Sequence, residues 1–238
     1  MKAAGFSMAR MSWKTQFLLV ALFVGALTTQ AQTQTQAPSL PFSCSFAKGG
    51  WDAKEWILVK SPRWDHFGQW LQKEDHIQNE TPDVKEEDKL GKSAPDTYTS
   101  MVYGKKFSGN VVITTTGMFT FQMAPLVVIA PELGQDDKGR PEYREHFEIV
   151  FYDKGVNVWH HSYKDKKPSW VKAAYCAMDL KPNQKYTMSV KKKGKELSVT
   201  IDGKTFGYRD ESLPEEFHVG VTGCEGDNRF YDFKIEKL

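Results

Sequence analysis

The sequence predicts an all-β sandwich, and three observations predict it. From Phe42 onward apolar residues recur mostly at a spacing of two, the period of a half-buried strand. β-Branched and aromatic residues are abundant, the aromatic share reaching 13%, and both types suit a pleated surface. Gly, Pro and Asp-Gly punctuate the chain at intervals of roughly 8–12 residues, as short strands joined by turns require. No long amphipathic helix breaks the pattern, and roughly ten to fourteen strands are expected.

The first element is not part of the sandwich. Lys2, Arg10 and Lys14 precede an 11-residue apolar run, Phe17 to Leu27, and Thr29-Gln30-Ala31 offers small residues at a cleavage site. This is the pattern of a secretory signal. The run is too short for a membrane span, which needs about 20 residues. Residues 1–31 are therefore expected to be removed, 32–40 (QTQTQAPSL) to be a disordered leader, and 41–238 to be the folded domain. The protein is expected to be secreted or periplasmic, with no membrane span after cleavage.

Removal of the signal changes the charge. The chain has 32 Lys+Arg and 30 Asp+Glu; without Lys2, Arg10 and Lys14 the mature balance is 29 to 30. No basic field remains to attract nucleic acid. At 40% hydrophobic and 26% charged residues, the composition excludes disordered and fibrous classes. The three cysteines, Cys44, Cys176 and Cys224, permit one bridge or none, and no zinc spacing or phosphate loop is present.

Along the domain, Trp51, Trp56, Trp64 and Trp70 precede the main strands, and Gln69–Gln72 reads as a strand. Residues 73–96 are polar with two prolines and read as a long surface loop. Val111–Thr114 and Phe119–Met123 alternate. Leu126–Ala130, apolar throughout, suits a strand covered on both faces. Phe147, Ile149 and Phe151 alternate with polar residues, as do Tyr186–Val190 and Leu197–Ile201. Asp202-Gly203 signals a tight turn, so Tyr186 to Phe206 is a three-stranded meander. Lys191–Lys193 reads as its solvated tip. Phe217–Val221 and Tyr231-Phe233-Ile235 close the series.

The C-terminal third carries YTMSVKKKGKELSVTIDGKTFG from Tyr186, FHVGVTG at 217–223 and RFYDFKIEKL at 229–238. This order resembles the final strands of bacterial concanavalin A-like lectin/glucanase domains. It is similar in particular to secreted bacterial domains of the 3-keto-disaccharide hydrolase type, and more loosely to laminin-G-like modules. The resemblance implies a jelly-roll β-sandwich of two antiparallel sheets. It covers about 50 residues and specifies fold more than function, because this superfold hosts lectins, hydrolases, lyases and adhesion modules. The Glu-x-Asp-x-x-Glu strand of one glucanase branch has its nearest counterpart at Glu142–Glu148, which lacks the central Asp. The Gln-x-His and Tyr-Phe-Lys-Ala-Gly motifs of the alginate-lyase branch are absent. No catalytic residue carries over from either branch.

The candidate site rests on residues 141–161 alone. In a strand through Arg144–Tyr152, Phe147, Ile149 and Phe151 turn to the core. Arg144, His146, Glu148 and Tyr152 then share the other face, spaced about 6.6–7 Å apart. After a turn at Asp153-Lys154-Gly155, a second strand adds Asn157, Trp159 and His161 to that face if Val156 and Val158 enter the core. A merely solvated strand would carry Lys, Thr, Ser and Glu; His, Trp, Tyr, Asn and Arg are binding-site types. Trp and Tyr stack on pyranose rings, while Arg144, Asn157, Trp159 and His161 would hold the substrate. Glu148, His146, Glu145 and Tyr152 are the candidate acid–base residues. His146, Glu148 and His161 could alternatively ligate a divalent metal, and a cofactor ion such as calcium is compatible with the chain. Glu225–Arg229 is a polar loop that reads as a turn or a calcium loop.

The expected function is thus a secreted, monomeric, carbohydrate-active protein. It would bind an oligo- or polysaccharide on a concave sheet face and cleave it as a hydrolase or lyase. The alternatives are a non-catalytic carbohydrate-binding module and a structural or adhesion domain.

Overall fold

The computed structural model describes residues 38–81, 97–120 and 125–238. The expected signal, most of the leader, the larger part of the 73–96 loop and the end of the Phe119–Met123 strand lie outside the described residues.

Among the described residues eighteen strands follow one another: β1 (Phe42–Ser45), β2 (Trp56–Leu58), β3 (Trp70–Gln72), β4 (Ile77–Asn79), β5 (Tyr98–Tyr103), β6 (Phe107–Ser108), β7 (Val111–Phe119), β8 (Pro125–Ala130), β9 (Leu133–Gln135), β10 (Pro141–Tyr143), β11 (His146–Tyr152), β12 (Gly155–Lys164), β13 (Lys167–Ala177), β14 (Tyr186–Lys193), β15 (Glu196–Ile201), β16 (Lys204–Arg209), β17 (Glu216–Cys224) and β18 (Asn228–Lys237). The count exceeds the expected range because β2, β3, β4, β6, β9 and β10 are two or three residues long, too short to show a period.

Two large antiparallel sheets form a sandwich. The first runs β16-β15-β14-β7-β18-β4-β3, with β1 also on β18. The second runs β13-β12-β11-β8-β17-β5-β2, with β6 also on β17. Between them lies the main apolar core. Ile113, Met188, Val190, Val199, Phe233 and Ile235 come from the first sheet, and Val127, Ile129, Phe147, Ile149, Phe151, Val219 and Val221 from the second. Burying each such side chain stabilises the fold by about 1.5–3 kcal/mol.

The second sheet is covered on its other face too. A smaller cluster there contains Val59, Tyr98, Val102, Leu126, Val128, Ala130, Tyr143 and Val150. The two-sided apolarity of Leu126–Ala130 follows from this: Val127 and Ile129 serve the main core, Leu126, Val128 and Ala130 the outer cluster. The cover comes from the segment between β2 and β3. Val59 donates its N–H to the Ser100 carbonyl, Tyr143 N–H to the Lys60 carbonyl and Gly68 N–H to the Tyr98 carbonyl.

Asp202 (φ 49°) and Gly203 (φ 72°) form the turn into β16, with both central residues at positive φ as a primed hairpin turn needs. Two expectations need correction. Lys191–Lys193 is not wholly a solvated tip: Lys192 is buried, donating from Nζ to the Gly109 carbonyl at 3.3 Å with the Phe217 ring 5.1 Å away. A bulge between Phe230 and Asp232 breaks the alternation of β18, so Phe230, not Tyr231, joins Phe233 and Ile235 in the core.

Candidate functional site

Strands β11 and β12 pair in the register His146–His161, Glu148–Trp159 and Val150–Asn157. Cross-strand partners share a face. With Phe147, Ile149, Phe151, Val156 and Val158 in the main core, these pairs are committed to the outer face of the second sheet. There the structure brings together His146, Glu148 and His161, all buried.

The cluster has a defined bonding pattern. His161 Nε2 lies 2.9 Å from Glu148 Oε2, and Tyr98 donates its hydroxyl to Glu148 Oε1 at 2.8 Å. His146 Nδ1 lies 3.0 Å from the Arg144 carbonyl oxygen, and its Nε2 is 3.5 Å from Glu148 Oε1. The rings form a stack: Tyr143 to His146 at 4.5 Å, and His146 to His161 at 4.2 Å. Tyr143 is fixed in turn by a 2.7 Å hydroxyl contact with Ser100, whose Oγ is 2.6 Å from Thr222. Trp64, from the covering segment, stacks on Tyr98 at 6.4 Å.

The electrostatics follow from this packing. Burial alone would raise the Glu148 pKa, but the His161 ring in contact with it outweighs burial and holds the carboxyl well below its usual range. Burial pushes the His146 pKa down against the pull of Glu148, so the ring is neutral near pH 7. Burial, reinforced by Glu148, raises the Tyr98 hydroxyl well above 10, which keeps it a donor. The cluster thus places the Glu148 carboxylate among the Tyr98 phenol and the rings of His146 and His161.

The remaining candidates are dispersed. Arg144 precedes β11; its guanidinium pairs with Glu142, donates to the Gln135 carbonyl at 2.6 Å and lies 4.2 Å from the Tyr163 ring centre. Glu145 is turned away from Glu148 and meets His160 Nε2 at 3.0 Å. His160 points inward, stacked on Phe147 at 4.4 Å, with Asp210 on its Nδ1 at 3.2 Å. Tyr152 and Asn157 sit at the far end of the hairpin, bonded to each other and near Tyr175. Four residues of strand separate Tyr152 from Glu148, about 13 Å. Trp159 lies beside Glu148 on the outer face, half-buried. The Glu225–Arg229 loop is a turn: Asn228 donates its side-chain amide to the Cys224 and Gly226 carbonyls, and Thr81 donates to Asp227.

Sequence reasoning missed the neighbours. Strand β13 pairs Trp170 with His161, Lys172 with Trp159 and Tyr175 with Asn157, extending the same face to the sheet edge. Trp170 is 47% and Tyr175 49% exposed. Arg63 lies 4.1 Å from the Trp170 ring centre, and the Lys172 ammonium lies 5.9 Å from Trp159 and 5.4 Å from Tyr175. A usable signal was present: Trp170 and Lys172 alternate with Ser169 and Val171.

No protein-family model matches the chain, and no curated protein matches it in sequence. Solved structures do match in fold. The carbohydrate-binding module CBM66 from Bacillus subtilis superposes with a TM-score of 0.54 at 11% identity, over 77% of this chain and 96% of that one. The metal-free exoplasmic/lumenal domain of VIP36 gives 0.54 at 12% identity, over 82% and 91%. A glycoside hydrolase family 16 endo-glucanase from Bacteroides ovatus gives 0.54 at 12%, over 82% and 99%. The fold is therefore a concanavalin A-like jelly-roll sandwich, shared by lectin-like and glycoside-hydrolase proteins. Among the described residues no helix is long and apolar enough to cross a membrane.

Proposed function

We propose that this domain binds a glycan on the outer face of its second sheet, with the chain stacked along Trp159, Trp170 and Tyr175. The observation that carries the reading is that aromatic row. Large aromatic side chains are rarely left half-exposed together, and their flat faces suit the apolar faces of pyranose rings. Arg63 and Lys172 stand against the same rings, ready to bond hydroxyl or carboxylate oxygens. The lectin-like fold supports the same class of ligand. In this reading the protein is exported by its N-terminal signal, acts outside the cytoplasm as a monomer, and has an oligo- or polysaccharide as partner.

Binding is favoured over hydrolysis on physical grounds. Two-carboxylate glycosidases hold their carboxyl groups about 5–9.5 Å apart across the scissile bond. Here Glu148 is buried and fully partnered, Glu145 faces elsewhere, and Glu142 is paired with Lys60 and Arg144. A second reading, cleavage, draws on one observation: the Glu148–His161 contact has the form of an orienting carboxylate on an imidazole base.

Affinity electrophoresis through gels loaded with plant, algal and bacterial polysaccharides tests both. Wild type is expected to be retarded by at least one glycan, and Trp170→Ala to lose about tenfold or more in affinity, about 1.4 kcal/mol. Product release by wild type, abolished in His161→Gln, would favour cleavage. Absence of retardation and of product with every glycan would reject both.

A further inference from the structure

The chemistry of His146 carries an inference beyond sugar binding. A carbonyl oxygen can only accept, so the 3.0 Å contact between His146 Nδ1 and the Arg144 carbonyl places the ring proton on Nδ1. In the neutral ring Nε2 is then a bare lone pair. That nitrogen is buried, has no hydrogen-bond partner, and is aimed at Glu148 Oε1 at 3.5 Å. A lone pair facing a carboxylate oxygen in a low-dielectric interior is repulsive and leaves a buried acceptor unpaired. A cation held between them reverses the sign of that interaction.

The remaining geometry fits a metal ion. His146, Glu148 and His161 each offer a ligand atom, and these atoms lie within 4.8 Å of one another. Bonds of about 2.0–2.1 Å in a tetrahedral zinc site place ligand atoms about 3.3–3.4 Å apart. The nearest contacts are close to that separation, 3.5 Å from His146 Nε2 to Glu148 Oε1 and 2.9 Å from His161 Nε2 to Oε2, the other carboxylate oxygen. The outer partners are also those a metal site needs. The Arg144 carbonyl fixes the His146 tautomer, and Tyr98 donates to Glu148. Stacking between Tyr143 and His161 fixes the plane of the His146 ring.

We propose that His146, Glu148 and His161 bind a divalent first-row transition metal ion of the Zn²⁺ type. Two imidazole nitrogens and one carboxylate form a borderline donor set that suits such ions, unlike the all-oxygen shell of calcium. Three protein ligands leave a coordination position for an exogenous oxygen donor. The site does not depend on the glycan reading.

The test uses the full chain, purified without a metal-affinity tag, stripped with chelator and dialysed. Titration with Co²⁺ is expected to produce visible ligand-field absorption that saturates near one equivalent and is displaced by Zn²⁺. Zn²⁺ should also raise the melting temperature. His146→Gln should weaken Zn²⁺ binding by about 100-fold or more, at least what loss of an outer partner costs. His160→Gln, outside the cluster, should bind as wild type does. If the His146 variant fails to fold, the wild type still decides: a folded, stripped protein showing neither absorption nor a melting shift overturns the site, as does equal affinity in a folded His146→Gln. Gel retardation is run on stripped and loaded protein. Glycan bound without metal uptake rejects the metal site and leaves the glycan reading standing; metal uptake without glycan does the reverse.

Discussion

Glu148 is the residue on which the site is built. A carboxylate so deep in the protein persists only because Tyr98 donates to it and His161 contacts it, since a buried charge without partners is strongly destabilising. Tyr98→Phe keeps the ring against Trp64 but removes that donor. It is expected to lower stability by about 1–3 kcal/mol in urea unfolding, and an unchanged midpoint would mean that Tyr98 does not support Glu148. His146, Glu148 and His161 were readable as neighbours because strand alternation and one hairpin fix them. Tyr98 was not, because it lies 50 residues away and reaches Glu148 only through the order of strands in the sheet. Glu145 could not be placed by alternation, because the chain bends before β11 begins at His146.

At the scale of elements, regular strands announce themselves and irregular ones do not. Strands β11, β14 and β15 keep a strict period of two, and their apolar sets enter the core. Strand β18 does not, because its bulge shifts the parity between Phe230 and Asp232. Strand β13 is harder still. Its partner register shifts at Val158/Trp159, and as an edge strand it keeps Trp170, Val171 and Tyr175 exposed, so it shows no clean apolar face. The aromatic row was hidden for that reason. The turn at Asp202-Gly203 is the opposite case, legible from a dipeptide. An added Cβ at Gly203 meets nothing within 4 Å, but its φ is +72°. Gly203→Ala should therefore cost about 1 kcal/mol through backbone conformation alone, measured as a shift in the unfolding midpoint. No shift would mean that the turn relaxes freely.

The described domain is a sandwich with one sheet covered on both faces, and this double cover puts polar chemistry where water is scarce. His218 on β17 is half-buried. Burial lowers its pKa, opposed by the Tyr103 carbonyl at 3.1 Å and assisted by Lys106. A folded-state value below 6.5 means the unfolded chain takes up the proton first. The stabilising contribution is complete above about pH 6.5 and is lost as pH falls through the folded value. Thermal unfolding between pH 7.5 and 5 should show falling stability, with a shallower slope in His218→Gln; identical slopes would assign the acid sensitivity to other groups. The fold class and the jelly-roll resemblance were legible because periodicity and turn chemistry are local, whereas the cover over the second sheet is a matter of how a long segment returns across it.

A glycan on the outer face at the β12–β13 edge would lie against Trp159 and Trp170. Indole N–H resonances of ¹⁵N-labelled protein, followed while a retarding glycan is titrated in, test it most directly. Saturable shifts of Trp159 and Trp170 are expected, with the core indoles of Trp56 and Trp70 unmoved. Saturable binding that leaves Trp159 and Trp170 still while other indoles shift would contradict it.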